Sequence, residues 1–303
     1  MLKEKTLATL KFFDLQAYPL TLLELQKFLI ADRGMLKLSI NTDWELINQQ
    51  PAPGKISASE ILNCLEKELT GAVESDKGFY CLVGRKAIID LRWRNYLYGL
   101  KREKLIKKYI SGLRHLPFVR GVALGGSQAM GLNKENSDID LLIVTEDKFL
   151  WLARTFVTVY FQVLGHRRHG KKIANRFCLN HYLAKPKAVE REKNLYKAME
   201  YARLRPLVYG QTIEQFQANN ANWIKSFFPI WEIKKQPAQT QSRLQKILES
   251  LFTNSFGHWL EQRLQNLQIR RIKQGEFIFV TTDELSFHPE SKHESLLREF
   301  FAT

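Results

Sequence analysis

Two glycines, a serine and two aspartates stand close together in GVALGGSQAMGLNKENSDIDLLIV, residues 121–144. Gly125, Gly126 and Ser127 follow an apolar strand pattern, Val119–Leu124. Glycine after a strand lets the backbone turn tightly and approach a phosphate without an obstructing Cβ. Gly126 and Ser127 would then offer backbone N–H groups and a hydroxyl to phosphate oxygens. Asp138 and Asp140 flank Ile139 at the start of a second apolar run. A period of two puts both carboxylates on one face of a strand and Ile139 on the other. Two adjacent carboxylates in an apolar strand are costly unless something neutralises them. A divalent cation with a preference for hard oxygen ligands, Mg²⁺ or Mn²⁺, does so and shares its shell with substrate phosphates. The pattern therefore suits metal-assisted phosphoryl chemistry on a triphosphate.

The surrounding elements must hold this segment in place. Leu7, Leu10 and Phe13 share one helical face, as do Leu22, Leu25, Phe28 and Leu29 behind Thr21. Residues 40–54 read as loop. Ser57 with Glu60 has capping-box spacing and opens a helix to Leu69, with Ile61, Leu62, Leu65 and Leu69 inward. A hairpin follows, with its turn over Glu74–Gly78 and its second strand over Phe79–Val83. This order of helices and hairpin predicts a winged helix-turn-helix domain. Residues 86–115 form a long basic helix whose cations, among them Arg92, Arg102 and Lys104, read as scattered and solvated. After the 138–144 strand come a helix at 147–164, a basic stretch at 166–172 and a third strand at 176–183. The chain from Arg191 to about Gln274 reads as mostly helical, with Trp223, Phe227 and Phe228 as packing, a short strand at 277–280 and mixed helix at 283–301. The expected fold is α+β: a winged-helix-like domain at 1–90, a linker helix at 91–116, a central mixed β-sheet with helices at 117–190, and a mainly helical C-terminal region at 191–303.

Leu124-Gly125-Gly126-Ser127 and, ten residues on, Asp138-Ile139-Asp140-Leu141 resemble the signature of the DNA polymerase β-like nucleotidyltransferase superfamily. The stretches FFDLQAYPLTLLEL, GFYCLVGR, RHGKKIANRFCLNHYL and NNANWIKSFFP extend the likeness to bacterial nucleotidyltransferase-domain proteins with an N-terminal winged helix. The resemblance implies transfer of a nucleoside monophosphate from a nucleoside triphosphate to an acceptor hydroxyl, with Asp138 and Asp140 catalytic and metal-binding and Gly125, Gly126 and Ser127 holding the nucleotide. It also implies a third carboxylate on a later strand. Here Phe177–Leu183 has no acid, and alternation offers Asn180 or His181 for that place, with Glu190 and Glu192 near its end as substitutes. Arg167, Arg168, Lys171 and Lys172 precede that strand and suit phosphate or nucleic acid. Tyr196, Glu200 and Arg203 share a helix face and either line the nucleotide pocket or pack.

Composition bounds these readings. Apolar residues at 45% and charged residues at 25% give an ordinary globular chain with a sizeable core. Lys and Arg number 46 against 31 Asp and Glu, a formal charge of +15 that favours polyanionic partners, nucleic acid among them. Cys64, Cys81 and Cys178 are too few and too scattered for a disulfide framework or zinc site, so a reducing cytoplasm is expected. The most apolar stretch, 149–164, is shorter than the ~20 residues of a membrane span, and no membrane association is expected. Two functions follow: a transferase acting on nucleic acid, a small molecule or a partner protein, or a catalytically impaired nucleotide-binding or DNA-binding regulator.

Overall fold

The computed structural model describes residues 2–31, 56–184, 193–272, 278–281, 284–287 and 291–302. The loop expected at 40–54 lies outside them. Three helices, α1 (Leu2–Asp14), α2 (Leu22–Lys27) and α3 (Ala58–Lys67), accompany three short strands, β1 (Leu20–Thr21), β2 (Val73–Asp76) and β3 (Phe79–Leu82), in the order β1-β3-β2. The capping boxes form as their spacing requires. Thr21 Oγ1 accepts from Glu24 N, and Ser57 Oγ accepts from Glu60 N, while each glutamate accepts from its cap backbone N–H. On α3 Cys64 joins Ile61 and Leu65 in the core, whereas Leu62 is only half-buried. The hairpin turn is shorter than the sequence suggested. Lys77 and Gly78, both at positive φ, make a two-residue turn, and Asp76 already pairs with Phe79. Such turns match the twist of the flanking strands.

Helix α4 (Ala87–Tyr109), extended by a 3-10 segment (Ile110–His115), leads to the main sheet. Its cations do not all face solvent, contrary to the sequence reading. Arg92 and Arg102 are inward, whereas Arg94, Lys101, Lys104, Lys107 and Lys108 are exposed. Asn95, Gly99, Arg102 and Ile106 recur on its buried face.

The core elements follow in chain order: β4 (Val119–Leu124), α5 (Gly126–Met130), β5 (Ile139–Thr145), α6 (Leu150–Val163), β6 (Phe177–Leu183), α7 (Leu195–Ala202), β7 (Arg205–Val208), α8 (Gly210–Asn219), α9 (Ala221–Phe227), α10 (Arg243–Ser250), α11 (Ser255–Arg271), β8 (Ile278–Val280), β9 (Glu284–Phe287) and α12 (Ser291–Ala302). Among the described residues, six strands form one mixed sheet in the order β7-β4-β5-β6-β9-β8, with only β5 and β6 parallel. The fold is α+β. The region from 191 is helical over most of its length, yet it contributes β7, β8 and β9 to this sheet. Arg205-Pro-Leu-Val is too short to show a period, and pairing with β4 makes it a strand.

One sheet face packs Ile139, Leu141, Ile143, Phe177 and Tyr182 against Trp151, Val157 and Phe161 of α6. The other packs Ala123, Leu142, Val144 and Leu183 against α7, Trp223, Phe227 and Phe228, in a core continuous with α1–α3. Arg203 clamps that junction. It donates to Tyr18 Oη at 2.9 Å and to the Met130 carbonyl at 2.8 Å, and its guanidinium lies over Phe13, Tyr18 and Phe28. Arg203 therefore packs rather than lining the nucleotide pocket. Beside it Arg92 donates to Glu24 Oε1 at 2.8 Å and covers Tyr18 and Phe79.

Burial alone would raise the Glu24 carboxyl, but the Arg92 hydrogen bond and charge, the Thr21 N–H and the Arg203 charge hold it at about 2. A depressed carboxylate contributes stability above its unfolded value of about 4.5 and loses it as pH falls toward 2. We expect Glu24→Gln to cost about 3 kcal/mol near neutral pH. The gap from wild type in urea melts should shrink steadily between pH 5 and 2; a gap independent of pH would refute the linkage.

Candidate active site

The end of β4 and the start of β5 are bound together before any ligand is considered. Gly125 N donates to the Asp140 carbonyl at 3.0 Å, and Leu124 pairs with Leu141. The chain then turns through Gly126 at φ +55° into the short α5. A Cβ at Gly126 would lie 2.1 Å from Asp140 Oδ2. Glycine is thus required twice here, by the left-handed backbone and by the carboxylate pressed against it.

The loop ahead of Asp138 has its own support. Arg102, 1% exposed, donates to the carbonyls of Ser137 (3.1 Å), Lys134 (2.6 Å) and Glu135 (2.9 Å). Ser137 Oγ accepts from Lys134 N, and Asn175 N donates to the Ser137 carbonyl. The loop is therefore fixed to α4 on one side and to the approach to β6 on the other. The sequence hid this role because a buried arginine on a basic helix looks like its exposed neighbours.

Asp138 and Asp140 share a face as alternation requires, and Ile139 is fully buried on the other. Their companion on β6 is Cys178, not Asn180 or His181. Asp140 pairs with Cys178, but Leu142 already pairs with His181, so β6 carries one extra residue at Leu179–Asn180. A bulge of this kind re-aims the side chains beyond it. Cys178 offers Sγ so that a sulfur and a carboxylate oxygen from each aspartate lie within 4.8 Å of one another. Asn180 still lines the cavity. His181 lies further along the sheet, buried, opposite Ser286 and with Nε2 3.3 Å from Glu284 Oε1. Glu190 and Glu192 lie outside the described residues.

A cavity of about 750 Å³ opens over these groups, within the ~300–1,000 Å³ usual for ligand clefts. Gly126, Ser127, Asp138, Asp140, Cys178 and Asn180 line it, as do Arg154, Arg167 and Arg168. Tyr196 and Glu200 reach it from α7. Lys171 and Lys172 are exposed on the turn beyond Gly170 and line no part of it. Arg154 was unforeseen: its charge sits in an otherwise apolar helix, under the rings of Tyr182 and Phe287.

The electrostatics are those of a site with too much negative charge. Burial, then Asp138, then Glu200 push the Asp140 carboxyl up to about 7, against the Arg168 charge and a Cys178 hydrogen bond. Burial and the two aspartates also push the Cys178 thiol up. Arg168 answers part of this, donating to Asp138 Oδ2 and lying 3.3 Å from Cys178 Sγ. The donor set fits a small divalent cation, which would relieve the repulsion.

A family model for the nucleotidyltransferase domain matches residues 106–204. The match runs from the last turn of α4 to the residue before β7 and includes every cavity-lining group just named except Phe287; Arg102, Glu284 and Ser286 also lie outside it. The resemblance carried by Leu124–Ser127 and Asp138–Leu141 is borne out for this stretch, and a domain of this type moves a nucleoside monophosphate from a triphosphate. No curated protein and no solved structure matches the chain. No helix among the described residues is long and apolar enough to cross a membrane.

Gly126→Ala should displace Asp140 and cost about 1–3 kcal/mol, read as a lowered urea midpoint with weakened Mn²⁺ binding. An unchanged Mn²⁺ titration would contradict the contact. Arg102→Met leaves three carbonyls without their donor and should cost about 3 kcal/mol. Hydrogen exchange should quicken first in residues 134–138; uniform quickening throughout the domain would show that Arg102 supports no particular loop.

Proposed function

We propose that the protein transfers a nucleoside monophosphate from a nucleoside triphosphate to an acceptor hydroxyl by metal-assisted phosphoryl transfer. The observation that carries this reading is the pair Asp138 and Asp140, the second held against Gly126, in a cavity rimmed with arginines. Asp138 and Asp140 would hold Mg²⁺ or Mn²⁺. When bound, that ion neutralises the paired carboxylates and the charge developing on the phosphates. Gly126 and Ser127 orient the triphosphate through backbone N–H groups and a hydroxyl, with Gly125 fixing the turn behind them through its bond to the Asp140 carbonyl. Arg167 and Arg168 face the same space, and Arg168 can exchange its contact with Asp138 for a phosphate oxygen, because a guanidinium binds either anion through the same fork.

The N-terminal helices and hairpin support a winged-helix reading for residues 1–90. Their contribution to acceptor choice is better explained by protein contact than by DNA. The exposed positions of α3 and its C-cap are Ser59, Glu60, Asn63, Glu66, Lys67 and Glu68, with three carboxylates against one lysine. Such a face repels a phosphate backbone. Any nucleic-acid contact falls instead to the exposed lysines of α4. A regulatory protein that binds nucleotide without transfer is the second reading, favoured by Cys178 standing beside Asp140 where a carboxylate was expected.

Incubation with each α-labelled nucleoside triphosphate, Mg²⁺ or Mn²⁺, and pools of RNA, DNA and protein separates the two. We expect label in one acceptor pool and its loss by more than about 10³-fold in Asp138→Ala/Asp140→Ala, the scale of removing a principal electrostatic contributor. Nucleotide binding with no label in any pool would sink the transferase reading and leave the regulatory one.

A further inference from the structure

Helix α10 turns its polar side inward and its apolar side to water. Gln245 and Glu249 face the protein, at 0% and 9% exposure. Leu244, Ile247 and the C-cap Leu251 stand outside, at 51%, 61% and 58%. An ordinary surface helix does the reverse. The inward bonds show why this one cannot roll over. Gln245 Nε2 donates to the carbonyls of Leu116 and Val119, each at 2.9 Å, and its Oε1 accepts from Tyr209 Oη at 2.6 Å. Glu249 accepts from Phe118 N at 2.7 Å and from two nitrogens of Arg120. Rotating the aliphatic side chains inward would break all of these bonds and strip a buried carboxylate of its partners.

Helix α11 starts hard against the end of α10, since a Cβ on Gly257 would lie 1.7 Å from the Phe252 carbonyl oxygen. Phe256, Trp259, Arg263, Leu267 and Arg270 recur three or four residues apart and so share one face. All five are exposed; the rings of Phe256 and Trp259 stack, and the Arg263 guanidinium lies over Trp259. Charge on the pair of helices has one sign. Arg243, Lys246, Arg263, Arg270 and Arg271 are exposed. The two carboxylates between Arg243 and Arg271 are spent inside: Glu249 as above, and Glu261 on the N–H groups of Trp151 and Leu152.

We propose that α10 and α11 dock the protein on an anionic lipid surface, lying in the interface without crossing it. Exposed aliphatic and aromatic side chains flanked by arginine and lysine, with no exposed acid among them, match that interface in both polarity and charge. A second copy of the chain is a poorer occupant, because a two-fold contact would press these cations against their own kind. Nucleic acid would answer the cations but leave Leu244, Ile247 and Leu251 in water. The expectation of no membrane association rested on the lack of a spanning segment, and an interfacial helix needs none. Docking leaves the cavity open, because α10 is bonded at the start of β4 and the nucleotide loop lies at its end, about 17 Å along the strand. The proposal is independent of whether transfer occurs.

The test uses the full chain and flotation with vesicles of phosphatidylcholine, alone or mixed with phosphatidylglycerol. We expect binding to the mixed vesicles only, weakening as salt is raised. Leu244→Gln/Ile247→Gln/Trp259→Gln should lower that binding by at least about tenfold, because fully burying even one such side chain is worth that much. Its urea midpoint should be unchanged or raised, which shows that the variant folds. Lys101→Gln/Lys104→Gln/Lys108→Gln on α4 serves as the control for attraction by charge elsewhere. Loss in the α10/α11 variant upholds the proposal whatever the α4 variant does. A smaller loss than about tenfold in the α10/α11 variant overturns it and leaves any vesicle binding to other cations. It is also overturned if wild type floats with neither vesicle, including the case in which the α10/α11 variant instead turns a dimer into a monomer in sedimentation.

Discussion

Two carboxylates on one face of a buried strand repel each other and lose much of their hydration. Much of the architecture around residues 125–140 answers that problem. Arg102 fixes the loop that delivers Asp138, and the Gly125–Asp140 backbone bond fixes the strand that delivers Asp140. Gly126 gives the second carboxylate room, and Arg168 supplies a partial counter-charge. A fold that merely needed stability would place apolar groups at these positions. Holding the acids in place makes sense when a cation and a polyphosphate complete the charge balance.

The same logic explains why the site lies between two layers rather than on a loop. The sheet is packed on both faces, so the start of β5 cannot shift without disturbing α6 on one side and α7 on the other. The α7 side is continuous with the N-terminal helices through Arg203, whose guanidinium is gripped by Tyr18, Phe13 and Phe28 while it also holds the Met130 carbonyl at the end of α5. Movement of the N-terminal unit would therefore be felt at the end of α5 through the half-buried Arg203 as well as through the shared core. Arg92 and Glu24 form the other half of this junction, and their burial makes the unit sensitive to acid.

Charge is distributed unevenly. The cavity arginines line one pocket, and Lys101, Lys104, Lys107 and Lys108 are exposed along α4, while the exposed side of α3 is acidic. The net +15 therefore says little about which surface meets a polyanion. A long basic helix divides its cations by face, so that Arg102 becomes an internal support and Lys104 and Lys108 remain in water.

What the sequence determined by itself was local. Two capping boxes, the glycine turn and the shared face of Asp138 and Asp140 follow from spacing within one element, because helix and strand periods fix where neighbouring side chains point. Only the tertiary structure decided what stands opposite those aspartates. The register of β6 on β5 put Cys178 beside Asp140, and one extra residue beyond it set His181 opposite Leu142, near Glu284; no count of alternation along β6 could reveal a register or a bulge defined by its partner strand. Glu200 was visible as a member of a helix face, but whether that face met the cavity or the core depended on how α7 lay across the sheet. Arg203, three residues on, shows the other outcome: it turned to the junction, while Glu200 turned to the cavity.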